Sequence, residues 1–157
     1  MAEPLDEQQQ ECWRAYVESS WALQTHLDGD LRAKTGLSMS DYHVMVVLSE
    51  APDHRLRMGE LASQLVFTPS RVTYQITSMI KRGLVRKQSC PRDGRGQEAV
   101  LTDAGMAALV AAAPLHRATV RDCLMDDLDD AEVAVLARVF TRLGARLRPA
   151  RPRPATV

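Results

Sequence analysis

Residues 68–74 read Thr-Pro-Ser-Arg-Val-Thr-Tyr, a run rich in hydrogen-bonding groups and poor in groups that break covalent bonds. Thr68 followed by Pro69 is a strong helix start, a capping hydroxyl ahead of a proline at the first helical position. With Val72 and Ile76 turned inward, the helical period leaves Ser70, Arg71, Thr73 and Tyr74 on the outer side of the first turns. Short hydroxyls, one guanidinium and one phenol suit phosphate oxygens and base edges. The positive end of the helix dipole favours a phosphate at the same place. The competing reading of these residues is a solvated helix face. Further on, residues 90–96 read Cys-Pro-Arg-Asp-Gly-Arg-Gly, a polar turn. An arginine such as Arg92 or Arg95 on a thin hairpin reaches into a narrow, electronegative minor groove. Asp93 beside them is placed to hold the loop or an arginine by a charge-assisted hydrogen bond. The competing reading here is a charged turn without fixed structure.

The charge distribution agrees with a polyanion-facing segment. The 157-residue chain is neutral, with 20 Lys and Arg against 20 Asp and Glu. Between positions 55 and 97, however, nine Lys and Arg face only Glu60 and Asp93, a net +7 balanced by −7 elsewhere. A neutral chain with one concentrated basic segment offers one face to a polyanion. At 45% apolar residues it is long enough to bury a core. It contains no apolar run of the roughly 18 residues needed to cross a bilayer. The polar, acidic first ten residues do not resemble a secretory signal. Three cysteines, at 12, 90 and 123, make neither a disulfide framework nor a CxxC site, so reduced thiols in the cytoplasm are expected.

The elements that must position the candidate residues follow from hydrophobic spacing. Residues 5–34 carry Trp13, Val17, Leu27 and Leu31 at helical intervals, and Gly36 ends that helix. Ser40 and Asp41 are expected to cap a second helix running to about residue 50. Residues 51–53 break the chain, and residues 55–57 alternate like a short strand. Residues 58–66 read as a short helix burying Leu61, Ala62 and Leu65, poorly capped at Met58 and Gly59. The helix from Pro69 is expected to reach about residue 82, with Val72, Ile76, Met79 and Ile80 inward and Gly83 as its stop. Residues 84–89 and 97–101 read as the two strands of a hairpin. Thr102 and Asp103 cap an Ala-rich helix that Pro114 should kink or interrupt. After an acidic break at 126–130, residues 132–147 form a last amphipathic helix, with Val133, Leu136, Val139 or Phe140, Leu143 and Leu147 on one face. Residues 148–157 are rich in Pro and Arg and read as a disordered tail. The whole is mainly α with a small β-hairpin wing: helix, turn, helix, hairpin, flanked by long helices.

The stretches Arg57-Met-Gly-Glu-Leu-Ala, Thr68-Pro-Ser-Arg-Val-Thr, Gly83-Leu-Val-Arg-Lys and Asp93-Gly-Arg95, with Val100-Leu-Thr-Asp-Ala-Gly105, resemble the multiple-antibiotic-resistance regulator (MarR) family. The Asp-x-Arg followed by Leu-Thr-x-x-Gly is the most specific part, and the resemblance covers nearly the whole chain. It implies a winged helix-turn-helix DNA-binding domain at 38–101. It also implies a helical dimerisation region at 1–34 and 102–147, in an obligate homodimer whose terminal helices intertwine. Recognition helices in such dimers enter successive major grooves of double-stranded DNA, and the wings reach the flanking minor grooves. By this likeness Thr68, Ser70, Arg71, Thr73 and Tyr74 lie on the recognition helix, Arg95 is the wing-tip arginine and Asp93 its supporting carboxylate. Gly94 departs from the many relatives that carry a second arginine there. Two amphipathic helices at opposite ends of a small chain independently call for a partner surface, and a closed two-fold pair is the commonest solution.

The resemblance also implies a signal. Small phenolic or other aromatic effectors bind in many relatives where dimer helices meet the winged domain. Trp21, Tyr42 and His43 are the candidates to line such a crevice, against the alternative of ordinary core or interface packing. A redox switch is the competing signal. Cys12 lies broadly where peroxide-sensing relatives carry a reactive cysteine, although its surroundings differ. Cys90 has Arg86, Lys87 and Arg92 near it in sequence, and positive charge favours a thiolate. The four histidines are scattered without metal-ligand spacing, and neither a metal nor another cofactor is expected. Nucleotide, hydrolase and zinc-protease fingerprints are absent from the sequence, so an enzyme is not expected. The reading from a different class is a winged-helix module that binds an acidic protein partner.

Overall fold

The computed structural model of the chain describes residues 3–90 and 96–147. The expectations for Arg92, Asp93, Gly94, Arg95 and the tail at 148–157 lie outside the described residues. Six α-helices and three strands run in the order α1 (Glu7–Thr35), α2 (Met39–Ser49), β1 (Arg55–Arg57), α3 (Met58–Leu65), α4 (Pro69–Lys81), β2 (Val85–Ser89), β3 (Gln97–Leu101), α5 (Asp103–Val120) and α6 (Asp130–Leu147) among the described residues. A 3-10 turn, Pro52–His54, precedes β1, and a π-helical turn, Arg121–Met125, extends α5. No described helix is long and apolar enough to cross a membrane.

Most helix ends are closed by the side chains one would choose for the purpose. Asp6 and Gln9 exchange hydrogen bonds at the start of α1, and Gly36 closes its end in the left-handed region. The cap of α2 is Ser38, two residues earlier than expected. Ser38 Oγ accepts from Asp41 N, and the Asp41 carboxylate reaches back to accept from Ser38 N. Asp41 is therefore the third residue of the helix and not its cap, which corrects the Ser40–Asp41 expectation. At α3 the weak Met58–Gly59 start is offset by Glu60, whose carboxylate accepts from Arg57 N. Pro114 does not interrupt α5, which continues as helix to Val120.

The strands form one antiparallel sheet in the order β1-β3-β2. Arg55 sits opposite Val100, and Val85 opposite Leu101. The core lies between this sheet, α2, α3, α4 and the adjoining ends of α1 and α5, around Leu31, Met45, Leu48, Leu61, Ile76 and Met79. Truncating one such residue to alanine typically costs about 2–5 kcal/mol. Ile80, expected in this stripe, is exposed instead, because Val72, Ile76 and Met79 at i, i+4 and i+7 already define the inward direction.

Thr102 and Gly105 join the winged unit to α5. Thr102 Oγ1 donates to the Gly83 and Leu84 carbonyls and accepts from Gly105 N. A Cβ on Gly105 would lie 2.1 Å from the Leu84 carbonyl oxygen, so only glycine allows this approach. The C-terminal half of α1 meets α5 through a buried Thr119, which donates to Asp30 and accepts from Lys34. Hydrogen bonds from Lys34 and Thr119 hold the Asp30 carboxyl below its usual range.

Candidate nucleic-acid interface

Three successive residues build the turn between α3 and α4. Val66 adopts a left-handed conformation at φ 55°, which a β-branched side chain rarely enters. The arrangement closes α3, with Phe67 N donating to Ala62 O at 3.0 Å. Thr68 then caps α4, its hydroxyl accepting from Arg71 N at 3.3 Å, and Pro69 opens the helix. Val72, Ile76 and Met79 bury the inner face of α4.

The outer face carries the residues expected there. Ser70, Arg71, Thr73 and Tyr74 are all exposed, and Tyr74 is 78% accessible. Thr68 Oγ1 and Ser70 Oγ are 3.2 Å apart. Thr73 Oγ1 donates to the Pro69 carbonyl. The Arg71 guanidinium lies 3.9 Å from the centre of the Phe67 ring. A cation held over an aromatic face has a defined direction before any partner arrives.

Not every basic residue of segment 55–97 points outward as a free charge. Arg55 pairs with Asp53 at 2.8 Å, and Arg86 donates to Gln88 at 2.6 Å. Arg82 turns toward the α1–α2 junction. It donates to Asp41 Oδ2 at 2.7 Å and to the Gly36 carbonyl at 3.0 Å. Asp41 also accepts from Gln75 at 2.6 Å. In the sequence Arg82 stands only as part of the basic segment, and Asp41 only as a capping candidate for α2. The S-x-x-D spacing of residues 38–41 signals the capping box of α2 and says nothing of Arg82.

The candidate effector residues separate in space. Tyr42 packs against His116 of α5 in a tilted arrangement, with ring centroids 4.7 Å apart, and burial holds the His116 pKa below its ordinary value. His116 was not foreseen, since the two rings are 74 positions apart in sequence. His43 is exposed and lines a separate open groove of about 490 Å³ with Leu27, Asp28, Met39, Phe67 and Arg71. Asp28 in that groove is subject to partial burial, which raises its pKa. Arg32 and the Met39 N–H outweigh this, so the carboxyl lies below its usual range. Trp21 lies elsewhere on α1 and is 73% exposed.

The thiols also differ. Cys90 is 3% exposed and donates to Glu98 Oε1 at 3.4 Å, whereas Cys12 is exposed on α1. Cys90, which has basic residues near it in sequence, is thus a buried thiol in this conformation. Among the described residues no group of His, Cys, Asp and Glu is arranged to hold a metal ion.

A helix-turn-helix followed by an antiparallel hairpin, with long helices on either side, defines a winged-helix protein. Comparison with known proteins specifies it further. The MarR family model matches residues 35–96. The HTH-type transcriptional repressor YetL of Bacillus subtilis strain 168 is 30% identical over 115 residues, 71% of this chain and 68% of YetL. Two solved MarR family regulators from Streptomyces coelicolor are each 35% identical. Sco3205, determined in complex with DNA, superposes with a TM-score of 0.91 over 96% of this chain and 94% of its own. AbsC superposes with a TM-score of 0.87 over 94% of this chain and 99% of its own. The chain belongs to the MarR family and is a winged-helix transcription regulator, not an enzyme.

Proposed function

We propose that this regulator is a homodimeric repressor that binds a pseudo-palindromic operator in double-stranded DNA and is released by a small aromatic, phenolic ligand. The observation that carries the reading is α4, a capped helix whose outer first turns present Ser70, Arg71, Thr73 and Tyr74 around a pre-oriented guanidinium. In this reading residues 38–101 contact DNA, with Thr68 fixing the start of the recognition helix. Arg92 and Arg95 enter the minor groove, and Asp93 supports them, on the strength of the sequence motif alone. Residues 1–34 and 102–147 form the dimer, which is supported by α6, a helix with an apolar face and, among the described residues, no buried side chain. The repressor assignment is supported by the likeness to YetL, and DNA as partner by the likeness to Sco3205. The groove bearing His43, Phe67 and Arg71 offers an aromatic face and a cation, which suits an aromatic anion. A regulator working on chromosomal DNA acts in the cytoplasm.

The test is a titration of wild type and Arg71→Ala with operator duplex at several salt concentrations. Loss of one guanidinium contact should weaken binding by about tenfold or more and, for a phosphate contact, lower the salt slope by about one. Wild-type affinity in Arg71→Ala sinks the assignment of α4. Failure of the wild type to bind any duplex at low salt favours an acidic protein partner instead.

A further inference from the structure

The outer face of α4 is only as well aimed as its inner face is held. Two polar residues on that inner side, Gln75 and Arg82, lie seven positions apart, close to two helical turns. Both end on one carboxylate. Asp41 accepts from Gln75 Nε2 at 2.6 Å and from Arg82 Nη1 at 2.7 Å, and its own side chain is 4% exposed. The carboxylate also accepts from Ser38 N at 2.9 Å, so it is tied to the first turn of α2. Arg82 carries the connection onward, since its second terminal nitrogen donates to the Gly36 carbonyl, at the cap of α1. From the other side Asp28 of α1 accepts from Met39 N at 2.8 Å. The end of α1, the start of α2 and the length of α4 therefore share one polar junction. Among the described residues no buried side-chain nitrogen or oxygen is left without a partner.

We infer that Asp41 is a positioning residue for DNA recognition: through Gln75 and Arg82 it locks the orientation of α4 to the α1–α2 junction, so that displacement of α1 is passed to the recognition helix. A buried carboxylate with three donors is costly to leave half-satisfied. The junction therefore favours one arrangement of α4 over a continuum of tilts. The apolar stripe of Val72, Ile76 and Met79 sets which face of α4 turns inward, and the directional hydrogen bonds to Asp41 narrow the tilt and rotation that this packing leaves. Asp41 lies on the side of α4 away from the exposed residues, so its effect on DNA operates through orientation. The inference rests on the proposed dimer with two recognition helices.

Two variants test it from opposite ends. Asp41→Asn keeps the shape but removes the charge, and Arg82→Gln removes the cation from a half-exposed position that a folded chain tolerates. Amide hydrogen exchange in the DNA-free protein is the first readout. Both variants should accelerate exchange in residues 75–82 and at Met39 and leave β2 and β3 unchanged. Operator titration is the second. Each variant should lose roughly tenfold in affinity, and the double variant should lose little more than Asp41→Asn alone, because the two side chains act as one pair. The variants should also discriminate less than wild type against operators whose half-sites are moved apart by one base pair. Loss of stability alone would leave that spacing preference intact. Unchanged exchange in residues 75–82, or additive losses in the double variant, would overturn the inference. A wild-type protein that binds no duplex would overturn the proposed function, while the exchange result would still decide the coupling.

Discussion

The winged unit and the terminal helices solve the burial problem in opposite ways. In the winged unit, α2, α3, α4 and the sheet enclose a core in which Val44, Met45, Leu48, Leu61, Ile76 and Met79 are fully buried. In the terminal helices, α1 buries only Leu27 and Leu31 near its end, and α6 buries none of its described residues. Trp13, Tyr16, Trp21, Phe140, Leu143 and Leu147 remain exposed. Tyr16 and Phe140 approach each other at 6.1 Å between ring centroids, so α6 lies beside the free half of α1 without being enclosed by it. One region is complete within a single chain, and the other has the composition of an interior without the enclosure. Such a surface supports the proposed dimer, in which a second copy would cover it.

The contrast can be broken most severely at Gly105. Gly105→Ala forces a Cβ onto the Leu84 carbonyl and should destabilise the winged unit by about 3 kcal/mol, read as a fall in denaturation midpoint. A Gly105→Ala protein as stable as wild type means the close approach is not obligatory. Phe140→Asp tests the other region. A charge on the exposed apolar face of α6 should weaken the proposed association by about 2 kcal/mol or more, read by sedimentation equilibrium. An unchanged mass would show that this face of α6 has no partner copy. Val66 sharpens the picture within the winged unit, where it is a strained position in the turn before α4. Val66→Gly relieves the left-handed strain at an exposed site and should stabilise by about 0.5–1 kcal/mol after the entropy cost of glycine. A loss of stability there would show that the Val66 side chain contributes more than its backbone strain removes.

The smallest effect lies at the seam between the two regions. His116 on α5 is held neutral by burial against Tyr42 of α2, so its folded pKa is below the ordinary value of 6.5. The unfolded chain then binds more protons than the folded one as pH falls below 6.5. The stabilising contribution is complete above that value and is lost as pH drops through the lowered folded pKa. His116→Phe should flatten this part of the stability profile between neutral and mildly acidic pH, measured by denaturant unfolding at each pH. An identical slope in the variant assigns the pH dependence to other groups.

Much of the fold was legible before the structure. Thr68-Pro69, Gly36, Gly83 and Thr102 are local signals, and each marks the element boundary expected of it, because caps and stops act within a few residues. The exposed face of α4 followed from the position of Val72 and Ile76 alone. Other expectations failed where a local rule met a longer-range constraint. Ser40 lost the cap of α2 to Ser38, since Asp41 at the third position reaches back. Ile80 is exposed because α4 had already committed its inward stripe. The burial of Cys90, just past the end of β2 and beside Glu98, was not legible from its neighbours in sequence.

Sequence by itself determined the order of the elements and the residues on the outer face of α4, which depend on periodicity and short-range caps, while its motifs carried the resemblance to the family. Tertiary structure alone decided which polar groups meet across the chain. Asp41 with Gln75 and Arg82, Tyr42 with His116, and Thr119 with Asp30 are pairs separated by 34 to 89 positions. No periodic pattern encodes such contacts, because they arise only when packed elements bring side chains distant in sequence into direct contact and exclude the water that would otherwise surround them.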